Sequence, residues 1–191
     1  MATTQRPLRA DAQRNRDLLL AAAAAAFAEA GGEVTLESIA RAAGVGIGTL
    51  YRHFPTREAL VDAAYRSELA RLCDSVPELL ATQPPDAALR AWMDSFVDYM
   101  TTKRGMAAAL RAVVASGGNP FAESKARLLG AIGALLAAGA AARLLREDVN
   151  PDDVLVGISG VSVLAAEPAQ RDQAGRLLDL IMDGLRFGAG H

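Results

Sequence analysis

Apolar residues recur along most of this chain at three- and four-residue intervals, and no stretch sustains the strict alternation of a half-buried strand. The spacing predicts an all-α protein. A first helix is expected from about Ala12 to Ala30, with Leu19, Ala23, Ala26 and Phe27 inward and Gly31-Gly32 as its stop. Thr35 precedes Leu36, Ile39 and Ala43 and caps a second, short helix ending at Gly44. A third follows after a few residues. In it Leu50 and Phe54, four apart, point into a small core, while Gly48, Thr49, Tyr51 and Arg52 fall on the remaining surface. Pro55-Thr56 closes that helix and caps a fourth, from Arg57 to about Leu80.

The rest of the chain is punctuated in the same way. Pro84-Pro85-Asp86 opens a helix that carries Trp92, Phe96 and Tyr99 and ends at Lys103-Arg104-Gly105, and a shorter one spans Met106 to Ala115. Asn119-Pro120 and Asn150-Pro151 each place a capping side chain before a proline suited to the first helical position, so two further helices are expected there. Glu167-Pro168 separates the second of these from the last. That final segment sets Leu177, Leu178, Ile181 and Leu185 at helical spacing against Leu155, Ile158, Val161, Ser162 and Ala165, a candidate pairing surface. The expected division is residues 1–60 and 61–191, with disorder in about the first ten residues.

Composition narrows the class. The 191 residues are 51% hydrophobic and 22% charged, enough for one or two small domains with a real core. The longest apolar run, Leu18 to Ala28, has 11 residues, well short of the roughly 20 that span a bilayer. Arg6, Arg9, Arg14 and Arg16 interrupt the start where a secretory signal would need an apolar stretch. A cytoplasmic protein without membrane contact is expected. Cys73 is the sole cysteine, so it forms no internal disulfide, and no His or second Cys stands at metal-ligand spacing from it. The histidines are His53 and His191, which suggests no Ser-His-Asp or Cys-His arrangement, and Gly44 to Gly48 follows no strand, so it makes no phosphate loop. No enzyme activity, cofactor or metal is expected.

Charge modifies this picture. The formal net charge is -2, but residues 1–60 hold seven arginines against six carboxylates, and residues 61–191 hold 13 cations against 16 acids. A front segment so weakly basic suits a few placed phosphate contacts, supplied twice by a dimer, better than a broad basic surface.

The outward set of the third helix holds a bare backbone, a hydroxyl, a phenol and a guanidinium, which suits phosphate and base-edge contacts to DNA. Three short N-terminal helices with the run from Gly44 to Leu60, GVGIGTLYRHFPTREAL, followed by an all-helical remainder, resemble the tetracycline-repressor (TetR) family of bacterial regulators. The specific match spans roughly Arg14 to Ala64. The resemblance implies an N-terminal three-helix helix-turn-helix DNA-binding domain and a C-terminal helical ligand-binding and dimerisation domain. It further implies a homodimer on a palindromic double-stranded DNA operator, most naturally a repressor, released by a small-molecule effector. Carried over residue by residue, Thr35 sits at a helix start where hydroxyl and N–H meet phosphate, or serves purely as an N-cap. Ile47, Gly48 and Thr49 match the front of the recognition helix, and Ile47 also suits a core place. Tyr51 and His53 match phosphate-binding positions, and Arg52 and Arg57 are further phosphate or base candidates. Where the family commonly has a polar residue before this helix, the chain has Gly46, which leaves shape readout a larger share. A helical interaction module without sequence-specific DNA binding is the alternative.

Trp92, Met93, Phe96, Tyr99, Met100 and Lys103 form an aromatic and thioether-rich stripe with a polar end. Such a stripe is ordinary core or one wall of a pocket for an apolar or aromatic ligand. Facing candidates are Met106, Leu110, Phe121, Leu128, Ile132 and Ser159, with Met182 a weaker one. The expected dimer interface is Leu155, Ile158, Ser162, Ala165, Leu177, Leu178, Ile181 and Leu185.

Overall fold

The computed structural model describes residues 5–29, 34–165 and 170–186, and among them every regular element is a helix. In chain order these are α1 (Gln5–Glu29), α2 (Leu36–Ala42), α3 (Ile47–His53), α4 (Arg57–Asp74), α5 (Val76–Thr82), α6 (Pro85–Gly105), α7 (Ala107–Ala115), α8 (Ser124–Ala141), α9 (Pro151–Leu164) and α10 (Arg171–Arg186). The stop expected at Gly31-Gly32 and the break expected at Glu167-Pro168 lie outside the described residues. Two compact units result, one from residues 1–68 and 102–120, the other from 69–101 and 121–191. The sequence places a single division after residue 60; by packing, the first unit also takes in the end of α6 and all of α7.

In the first unit α1, α2 and α3 pack on one another around Leu19, Ala23, Phe27, Ile39, Leu50 and Phe54, all buried. Fully burying such a side chain contributes about 1.5–3 kcal/mol. Gly105, at the end of α6, meets α1 so closely that a Cβ there would stand 1.8 Å from the Phe27 carbonyl oxygen. Only a residue without a side chain fits.

In the second unit α8 packs against α5 and α9, and α9 against α10. By length and composition α8 would suffice to cross a membrane, but it contributes Leu128, Ile132 and Leu135 to this core. Three arginine–aspartate pairs join α6 to α10, Asp86–Arg186 at 2.7 Å, Arg90–Asp179 at 2.7 Å and Asp98–Arg171 at 2.9 Å. Their order shows that the two helices run antiparallel.

Three boundaries differ from expectation. Residues 5–10 are helical, so α1 starts well before Ala12. α4 stops at Asp74 instead of near Leu80, because Pro77 lacks an N–H and its ring meets the carbonyl four residues back, and α5 restarts there as a separate helix. Pro120 to Glu123 form a turn in which the Ser124 N–H donates to the Phe121 carbonyl at 3.1 Å, so α8 starts four residues after Pro120. Asn150 behaves as expected, its side chain accepting from the Asp152 N–H at 3.0 Å with Pro151 opening α9.

Candidate nucleic-acid interface

The link between α2 and α3 is set by backbone chemistry. Gly44 adopts φ +68°, the left-handed region that costs a glycine nothing. Its N–H donates to the Arg41 carbonyl at 3.1 Å and the Val45 N–H donates to the Ala40 carbonyl at 3.0 Å, the paired bonds of a Schellman stop. Gly46 then caps α3 in an extended conformation, without a side-chain bond. A sharp turn between two seven-residue helices follows from these bonds alone.

Leu50 has no exposed surface and Phe54 is buried, so they hold α3 to its supports as their spacing predicts. The opposite side of the helix is open. Ile47 is 38% and Tyr51 47% exposed, Gly48 and Arg52 are exposed beside them, and Thr49 and His53 are half-buried. Ile47 is therefore a surface residue, and the core alternative for it drops out. A Cβ at Gly48 would meet nothing within 4 Å, so the backbone there is accessible to a surface brought against it.

Two other candidates have work inside the protein. Thr35 is exposed at the start of α2 and its hydroxyl oxygen accepts from the Ser38 N–H at 3.1 Å, the bond of an N-cap. Arg57 is half-buried; its guanidinium donates to the Val34 carbonyl and lies 5.8 Å over the Phe27 ring. That arginine ties the start of α4 to α1 and to Val34, two residues before α2, a role its position at a helix start did not reveal. The sequence also gives no sign that the Arg16 guanidinium lies 5.5 Å over the Phe54 ring, bracing α1 against the end of α3.

In the second unit the aromatic stripe is continuous. Trp92 stacks on Phe96 with centroids 5.9 Å apart, Phe96 meets Tyr99 at 6.1 Å, and the Trp92 indole N–H donates to the Leu72 carbonyl at 2.9 Å. Trp92, Met93, Phe96, Tyr99, Leu128 and Ile132 are buried and Met100 is half-buried, whereas Phe121 is exposed. The Ser159 hydroxyl donates to the Leu155 carbonyl at 2.6 Å within its own helix. Lys103, Met106 and Leu110 belong to the first unit, where Met106 and Leu110 are buried and the Lys103 ammonium lies 5.9 Å from the Tyr65 ring. A cleft of about 300 Å³ opens elsewhere, between the Arg146–Asn150 turn, α9 and α10.

Of the residues expected to face a second copy, Ile158, Ser162, Ala165, Leu178 and Leu185 are buried within the subunit, and Leu155, Leu177 and Ile181 are half-buried. The buried five hold α9 and α10 in their own unit. The residues left outside are Val156, Val163 and Leu180, exposed by 65%, 67% and 65%, with Gly160 and Gly184 open beside them.

A capped support helix, a tight turn and a short helix that buries one side and offers the other define a helix-turn-helix DNA-binding head. Residues 19–64 match the family described as "Bacterial regulatory proteins, tetR family", and residues 84–187 match "Transcriptional regulator SbtR-like, C-terminal domain". The chain belongs to the TetR family of transcriptional regulators. It is similar to the crystal structure of a TetR transcriptional regulator from Streptomyces coelicolor, at 57% identity over 90% of this chain and 98% of that one, with a TM-score of 0.87. A TetR regulatory protein from Mycobacterium vanbaalenii is 36% identical over 94% of this chain and 99% of its own, with a TM-score of 0.76.

Proposed function

We propose that this chain is a ligand-responsive repressor that binds a palindromic operator as a homodimer in the cytoplasm and leaves it when a small apolar or aromatic effector binds. The observation that carries this reading is the outward face of α3, with Ile47, Gly48, Tyr51 and Arg52 open to an approaching surface while Leu50 and Phe54 fix the helix from behind. Each α3 lies in a major groove. Ile47 and the Thr49 methyl meet base edges and thymine methyls, and Tyr51, Arg52 and His53 contact phosphates. Thr35 adds its helix start to the same strand. Arg57 acts indirectly, by holding α4 against the head.

The second copy is proposed to join through the outer faces of α9 and α10, where Val156, Val163 and Leu180 stand in water in a single subunit. Two-fold pairing of that face sets two recognition helices about 34 Å apart, one turn of the duplex. The effector is proposed to bind against the Trp92, Phe96 and Tyr99 wall of the second unit, whose aromatic and thioether lining favours apolar rings. Release requires only that the effector prefer the conformation with the wrong half-site spacing, by about 1–3 kcal/mol.

Selection of duplexes from random-sequence DNA by the full chain tests this reading, with Tyr51→Phe assayed on the winner. An inverted repeat is expected, and the variant is expected to lose roughly fivefold in affinity for the selected and a scrambled duplex alike, since a phosphate contact carries no base information. Failure to enrich any sequence contradicts the reading.

A further inference from the structure

Most of the charges on α9 and α10 are used within the subunit. Arg171 and Arg186 on α10 pair with Asp98 and Asp86 on α6, Asp179 holds Arg90, and Asp152 at the start of α9 meets the Lys125 ammonium at 2.9 Å. Arg176 is left over. It is exposed, and among the described residues no carboxylate pairs with it, although Asp172 stands one turn earlier on the same helix. On α9 the exposed Asp153 is in the same condition, its carboxylate without a partner among the described residues. The surface that faces outward thus carries one uncommitted acid on one helix and one uncommitted guanidinium on the other.

Asp153 lines the cleft of about 300 Å³ between the Arg146–Asn150 turn, α9 and α10. The other acid there, Asp148, is taken up by Arg146 through two bonds of 2.6 Å, and Val154, Ile181 and Leu185 make the walls apolar. An apolar cleft with one uncommitted carboxylate suits an arginine, whose methylene stem lies along such walls while its guanidinium meets the acid. The subunit's own Arg176 does not reach it. α9 and α10 run antiparallel: the Arg146 N–H, before α9, donates to the Leu185 carbonyl near the end of α10, and further along a Cβ at Gly157 would stand 3.7 Å from Ile181 Cδ1. With Gly157 and Ile181 level, Asp153 lies about 6 Å to one side along the helix axes and Arg176 about 7.5 Å to the other. Those nearly equal and opposite offsets are what two-fold symmetry requires. An axis crossing the pair at this level exchanges its two ends, and so brings the Arg176 end of one copy over the Asp153 end of the other, twice. Val156 and Leu180, exposed by 65% each, stand one residue from that level, at the centre of the face. An apolar centre with charges at its two ends is the usual anatomy of a protein–protein contact.

We infer that the cleft is a socket for a second copy of this chain: Arg176 of each subunit enters the cleft of the other, and its guanidinium binds the Asp153 carboxylate there. The inference rests on the proposed two-fold pairing through α9 and α10 and adds the register of that pairing. Apolar contact alone lets one helix pair slide along another, whereas two reciprocal ion pairs at fixed offsets select one position.

The test is sedimentation of the full chain over a concentration series, which gives the dimer dissociation constant for wild type, Asp153→Arg, Arg176→Asp and the chain carrying both changes. Urea midpoints report that each subunit stays folded. Either single reversal sets like charges face to face in both sockets and is expected to weaken the dimer by roughly 100-fold or more. The double reversal is expected to return to within about tenfold of wild type, because the pairs re-form with opposite polarity. The milder Asp153→Asn and Arg176→Gln give a second cycle that spares the start of α9 from a new cation: each is expected to weaken the dimer by about tenfold, and the two together by no more than either alone. A wild-type dimer that single reversals leave at full strength, reversals whose combination brings no recovery, or Asn and Gln losses that simply add, overturns the socket while leaving two-fold pairing in place. A wild-type chain that sediments as a monomer overturns the pairing itself and the socket with it.

Discussion

The outer face of α3 and the outer face of the α9–α10 pair are both exposed surfaces on well-anchored helices, yet they differ in kind. On α3 the open positions are one apolar residue, Ile47, a bare backbone at Gly48 and the polar Tyr51 and Arg52, and the anchoring apolar residues Leu50 and Phe54 are confined to the other side. On α9 and α10 the inner side is apolar too, with Ile158, Leu178 and Leu185 buried, but Val156, Val163 and Leu180 repeat that character outside. A largely polar face backed by one stripe of anchors suits a hydrated polyanion. α9 carries apolar residues on both sides, whereas α10 exposes Leu180 among Arg176, Asp179 and Asp183; under the proposed pairing this face is covered by a second copy, and the exposed Gly160 and Gly184 leave room for its backbone.

The sharpest way to separate the inner and outer sides of the α9–α10 pair is to charge one and truncate the other. Val163→Arg is expected to leave the subunit's urea midpoint unchanged while placing an unpaired charge in the interface twice, at about 3 kcal/mol or more each. Sedimentation should then report a monomer, with operator affinity falling by more than roughly 100-fold. Leu178→Ala should do the reverse, costing the subunit about 2–5 kcal/mol of stability through a core cavity. A dimeric Val163→Arg chain would remove this face from the assembly.

A smaller effect divides the cations of the head. Arg57→Met loses the bond to the Val34 carbonyl and the contact with the Phe27 ring, so a stability loss of about 1–2 kcal/mol is expected, read as a lower urea midpoint. Its salt slope should match wild type. Arg52→Met should do the opposite, keeping the midpoint and lowering the magnitude of the slope by about 0.9 per bound protomer. A slope change for Arg57→Met of that size would return it to the phosphate contacts.

The same contrast explains what was readable in the sequence. The turn into α3 was legible because everything that makes it is local: Thr35 as cap, Gly44 in the left-handed region, and Leu50 and Phe54 one turn apart. Periodicity also found the buried side of α10, but Leu178 and Leu185 were assigned to a partner when they are used within the subunit. An apolar period marks burial without saying against what; the outer residues emerge only after the subunit's own core has been subtracted. Arg57 carries a contact that spacing hides for a related reason: a cation at a helix start suits a phosphate, and the bond it also makes to the Val34 carbonyl, 23 residues earlier, leaves no trace in the sequence. The arginine–aspartate pairs between α6 and α10 are equally silent, since each joins residues far apart in the chain. Pro77 was different: the signal for ending α4 was present, and its effect on the carbonyl four residues back accounts for the break.

The central claim is that α3 reads bases and does so twice, in two-fold register. Repeating the duplex selection with an Ile47→Ala chain tests it most directly, because Ile47 is exposed and its loss should leave the fold intact. The expected result is a relaxed base preference at one position in each half-site, mirrored about the centre of an otherwise unchanged inverted repeat. An unaltered preference at every position, or a change in one half-site alone, would contradict the account.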